Sequence, residues 1–114
     1  RESQFAFFAA DTGVECALHA DTVLDAFATT SVLTELVCGI APSALTRSPA
    51  GVVLPGTPFV TTFTFTSGAG TSAQCVDVVV TREDPKHTKI ESFGHNTCNL
   101  TDPLRLERAI RVTY

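Results

Sequence analysis

The chain has 114 residues, 44% of them hydrophobic and 18% charged, with a net charge of −4. That is enough apolar material for one packed core and too little chain for two, so one domain over residues 1–114 is expected and a disordered polymer is excluded. A pI near 5.2 argues against nucleic acid as a partner, because phosphate binding needs clustered Lys and Arg, and no apolar run approaches the ~18 residues of a membrane span. Acidity is concentrated early: residues 1–50 carry six acids against two bases, residues 51–114 six against six.

In chain order, the aromatic run at residues 4–9 ends at the turn signal Asp11-Thr12-Gly13 and predicts a first strand. Val14, Cys16 and Leu18 alternate with Glu15, Ala17 and His19 and predict a second, the two forming a hairpin. Asp21 is a candidate N-cap for a helix, unbroken or broken near Thr30, that stops at Cys38-Gly39 before Pro42. A pair of strands over the same span would instead make the whole protein a β-sandwich. Prolines and glycines mark residues 41–57 as a surface connection, with a brief strand or a hydrophobic tuck at Val52 to Leu54.

The strongest local pattern lies between Pro58 and Glu83. Phe59, Phe63 and Phe65 share one parity and Thr62, Thr64 and Thr66 the other; after the Gly-rich segment 67–71, Val76, Val78 and Val80 alternate with Cys75, Asp77 and Val79. This predicts a β-hairpin with a Phe/Val core face. A charged turn follows, then a short strand from Thr88 to Phe93, a loop from Gly94 to Pro103, and a last strand on which Leu104, Leu106, Ile110, Val112 and Tyr114 share a parity interrupted by Arg108. The expected fold is α+β: a small disulfide-stabilised antiparallel sheet of four to five strands with one helix, whole or broken, on a face, the all-β sandwich being the alternative.

Four cysteines without a CxxC pair predict two disulfides and an oxidising compartment, hence a secreted protein. Arg1 opens the chain with no signal peptide, as expected of a trimmed, exported form. Asn99-Leu100-Thr101 matches the N-glycosylation acceptor pattern. Cys75 lies opposite the valine face, which favours Cys38 with Cys75 and Cys16 with Cys98; the competing arrangement, Cys16 with Cys38 and Cys75 with Cys98, closes two local loops. On the favoured pairing, the helix ending at Cys38 covers the threonine side of the hairpin.

Other constellations are weaker. Cys16, His19, His95 and Cys98 could supply a tetrahedral zinc set, but disulfides account for the cysteines. His19, His87 and His95 with Asp84, Asp102 or Ser92 could serve a hydrolase only if the fold gathered them, and no G-x-S-x-G elbow is present. Glu15, Asp21, Asp25 and Glu35 are what a solvated helix face and a cap would show, and together they make a negative patch that could meet a basic partner or weakly hold calcium, though no EF-hand-like run is present. Arg105, Arg108 and Arg111, with Tyr114 nearby, could form a binding edge for an anionic partner but read better as a solvated ladder with an edge-marking break, and the single threonine array falls short of an ice-binding surface. No catalytic residue, metal or cofactor is therefore assigned. The expected function is a secreted protein acting by surface contact with a partner, such as an effector, toxin subunit or host-directed ligand; the alternatives are a structural or cell-surface module and a small secreted hydrolase.

Overall fold

The computed structural model describes residues 2–24, 27, 34–39, 42–48, 58–67, 73–84 and 87–114. Helix α1 (Glu2–His19) runs into a wider π turn at Ala20–Leu24. Strands β1 (Glu35–Val37) and β2 (Pro42–Ala44) form a small antiparallel ribbon. Strands β3 (Thr46–Ser48), β4 (Phe59–Ser67), β5 (Gln74–Asp84), β6 (His87–His95) and β7 (Glu107–Thr113) form a five-stranded antiparallel meander in sequence order. One helix on an antiparallel sheet is the α+β architecture expected, with the ribbon added beside β4.

The sheet follows its alternation. Phe63 pairs with Val78 and Phe65 with Val76 across β4 and β5, Val80 pairs with Ile90 across β5 and β6, and Ile90 pairs with Val112 across β6 and β7. These side chains share one face, and α1 packs over its β5, β6 and β7 portion. Phe27 covers the β4 portion, its ring stacked on Phe63 with centroids 6.1 Å apart.

The first half of the chain differs from expectation. Residues 4–9 and 14–18 are consecutive turns of α1, not a strand hairpin. Asp21 does not cap a new helix; it lies in the π turn that ends the first one. Of the predicted helix from Asp21 to Cys38, residues 35–37 are β1, and residues 25–26 and 28–33 lie outside the described residues, as does the brief strand at 52–54. The physical reason is the size of the residues α1 buries. Ala6, Ala9, Ala10, Gly13, Val14, Ala17 and Ala20 recur at spacings of three and four and are all buried, whereas Phe7 and Phe8 are exposed. Alanine is the best helix former, and a stripe of small side chains lets the helix backbone settle onto the sheet.

The approach is closest at two glycines. A Cβ on Gly94 of β6 would stand 2.2 Å from the Ala6 carbonyl oxygen and 2.3 Å from the Ala10 nitrogen. A Cβ on Gly13 would stand 2.1 Å from Ser92 Oγ and 2.7 Å from Val76 Cγ1. The obstacle at Gly94 is backbone, which can yield only if the helix lifts; at Gly13 it is side-chain atoms, and alanine there also gains helix propensity. Gly94→Ala is therefore expected to cost about 3 kcal/mol or more and Gly13→Ala about 1 kcal/mol. Denaturant unfolding of both variants checks the order, and equal or reversed losses would contradict the packing.

Candidate functional site

The cysteines form Cys16–Cys38 and Cys75–Cys98, with Cα–Cα distances of 5.7 and 5.0 Å. The favoured pairing of Cys16 with Cys98 and Cys38 with Cys75 is corrected to the two local closures. Cys75 does lie on the face opposite the valines, but the helix covers the valine side, so Cys38 is brought to α1 instead. The first bond ties α1 to the end of β1, and the second ties β5 to the loop after β6. Each closes a loop of about two dozen residues, worth about 3 kcal/mol in the chain-entropy account.

The loop at 96–106 is knitted by Asn96: its Nδ2 donates to the Leu104 carbonyl at 2.9 Å, and its Oδ1 accepts from the Leu106 amide at 2.6 Å. Asn99 is exposed, and its Oδ1 accepts from the Thr101 amide at 3.0 Å and the Thr101 hydroxyl at 2.8 Å. Asp102, one of the candidate acids, turns the same loop by accepting from the Leu104 amide at 2.9 Å.

The zinc set does not assemble. Cys16 and Cys98 belong to different disulfides, His19 is exposed on α1, and His95 is buried on the sheet. Among the described residues no group of three or more His, Cys, Asp or Glu side chains could hold a metal ion.

The histidines are likewise scattered. His87 and His95 stand at opposite ends of β6, about 26 Å apart along the strand. His95 lies between two carboxylates, with Nε2 3.2 Å from Glu107 Oε2 and Nδ1 3.9 Å from Asp77 Oδ2. Ser92 faces the other side of the sheet, beneath Gly13. His87 instead lines an open cleft of about 290 Å³ with Glu83, Thr88, Lys89, Thr113 and Tyr114.

Of the acidic patch, Glu15 and Glu35 are exposed, Asp25 lies outside the described residues, and Asp21 is turned inward. The π turn aims the Asp21 carboxylate at β5 and the end of β7, where it pairs with the Arg82 guanidinium and accepts from the Tyr114 hydroxyl. Sequence spacing held no signal for this long-range cluster. The three arginines also separate. Arg108 Nε donates to Ser3 Oγ at 2.9 Å on the helix side, Arg111 reaches Glu91 at 3.4 Å on the opposite side, and Arg105 belongs to the Asn96 loop. Thr64 and Thr66 are exposed on the outer face, which corrects the expectation that the helix covers it.

The solvent side of α1 carries Gln4, Phe8, Asp11 and Glu15 at spacings of four, three and four. All are exposed, Phe8 by 59%, and the Phe7 ring meets Phe8 edge-on at 6.1 Å. The result is an aromatic side chain standing in water with two carboxylates on the same helical face. No protein-family model, curated protein or solved structure matches the chain.

Tyr114 is the one tyrosine in the chain, so its ionisation can be read alone. Burial raises its pKa above the usual value near 10, and the hydrogen bond to Asp21 raises it further against a smaller opposing effect of Arg82. A raised pKa means that the folded state favours the neutral phenol: this contribution to stability is complete below the pKa of an unfolded tyrosine and is lost as pH rises through the folded value. Absorbance titration near 295 nm is expected to place the midpoint well above 10, with Asp21→Asn bringing it down. An ordinary midpoint unchanged in the variant would contradict the cluster.

Proposed function

We propose that this is a secreted, disulfide-stabilised interaction protein that binds a basic protein partner through the solvent side of α1. The observation that carries the reading is Phe8, exposed by 59% on a helical face shared with Asp11 and Glu15. Leaving a phenylalanine in water forgoes the gain of burying it, and aromatic residues, Phe among them, are enriched at protein interfaces. The Cys16–Cys38 bond helps to hold the helix, lowering the ordering cost of binding. The carboxylates favour a partner with Lys and Arg around an apolar pocket and make association sensitive to salt.

Secretion is supported by two disulfides in a chain of 114 residues. Asn99, exposed in the loop after β6, is the expected glycan acceptor. The action belongs with effectors, toxin subunits or host-directed ligands, and no catalytic step is assigned to it.

Capture on the immobilised, oxidised protein, followed by reconstitution with each purified candidate, tests the reading. The expected outcome is a basic protein whose Kd weakens about tenfold or more with Phe8→Ser and rises with salt, while the variant keeps the wild-type melting temperature. A partner bound equally well by Phe8→Ser and indifferent to salt would overturn it.

A further inference from the structure

A second surface, distinct from the Phe8 face, lies along β7. Among the described residues this strand pairs with β6 alone and ends the sheet. Tyr114 and Thr88 exchange both backbone hydrogen bonds, at 2.8 and 2.9 Å, so the even-numbered residues of β7 direct their N–H and C=O groups toward β6. By the alternation of an antiparallel ladder, those of Glu107, Ala109, Arg111 and Thr113 point away from it, along the free edge. A charged edge usually prevents strand pairing. Here Arg108 is held on the helix side by Ser3, and the edge residues Glu107 and Arg111 have opposite signs, two positions on either side of the small Ala109.

We propose that this edge is a self-association surface, on which β7 pairs antiparallel with β7 of a second copy about a two-fold axis through Ala109. In that register Ala109 faces its own copy, and Glu107 faces the second copy's Arg111 on each side of the axis. These three residue pairs are all of the type whose backbone groups point outward, so the ladder and the charges agree. Centring on Arg108 would set Arg105 against Arg111, and centring on Ile110 would set Glu107 against Thr113; neither gives the two opposite-charge pairs.

The helix supports the same axis. Ala6 and Ala10 lie over Gly94 and Gly13 lies over Ser92, so α1 runs opposite to β6 and therefore along β7. The Arg108 side chain reaches back to Ser3, and Phe7, one turn later on the same flank, lies between Ala6 and Ala10 over Gly94, hence level with its partner Arg108 and one residue from the axis. Phe7 is 49% exposed, and in the paired state the two copies of it approach across the two-fold. The product is one continuous ten-stranded sheet with both helices on one side, a closed and isologous arrangement.

Sedimentation equilibrium of the intact, oxidised chain over the micromolar to millimolar range tests this. The wild type is expected to dimerise. Glu107→Arg and Arg111→Glu, each placing like charges in both pairs, are expected to raise the dimer dissociation constant by roughly a hundredfold, and the double exchange Glu107→Arg/Arg111→Glu to restore it. Ala109→Pro, which removes an edge N–H without touching the ladder to β6, is expected to abolish pairing while the circular dichroism of the monomer is kept. A wild type that stays monomeric, single variants that dimerise normally, or a double exchange that fails to recover would each overturn the proposal.

Discussion

The structure depends on how closely the backbone of α1 can approach β5 and β6. At Gly94 there is no room for even one methyl group between the sheet and the Ala6–Ala10 turn. Close packing of this kind works without large side chains on the helix: alanine and glycine bring the backbone down, and the sheet supplies Val76, Val78, Val80 and Ile90 as the apolar surface. The remaining arrangement follows. With α1 seated over β5, β6 and β7, the face of β4 is left for Phe27 and Leu36, and Cys16 comes within bonding distance of Cys38. The same seating aims Asp21 at Arg82 and Tyr114, and it leaves Phe7 and Phe8 no place in the core.

That inversion explains which parts of the fold can be read from the sequence. Strands β4 to β7 are legible because bulky apolar residues occupy one parity and polar ones the other, and sheet side chains have a strict period of two. The helix is not, because its bulk lies on the wrong side. The phenylalanines near the start suggest a strand, while the buried positions are alanines whose contribution comes from closeness, not area. The spacing of Ala6, Ala9, Ala10, Gly13, Ala17 and Ala20 was nonetheless present as a signal of a small-residue contact face. The pairing of the cysteines is hidden for a linked reason: parity sets Cys75 opposite the valines, but it does not say which face the helix covers.

The candidate site is legible to a similar extent. The acidic bias of the first half is visible in composition, and Glu15 takes its place on the solvent side of α1. The exposure of Phe8 and the inward turn of Asp21 are tertiary consequences of the helix seat and the π turn, which no local spacing encodes. One helix thus serves two purposes. Its small-residue side holds the fold together, and its bulky side chains Phe7 and Phe8 are left exposed, which is the feature the proposed interactions use.

The seat of the helix can be measured directly in solution. Proton NOE contacts between the Gly94 α-protons and the amide and α-protons of Ala10 report a separation that only this packing produces. This seating predicts strong cross-peaks from Ala10 to Gly94, together with contacts from Gly13 to Ser92 and Val76. Their absence in a folded, oxidised sample, with a side chain or water layer between helix and sheet, would contradict it.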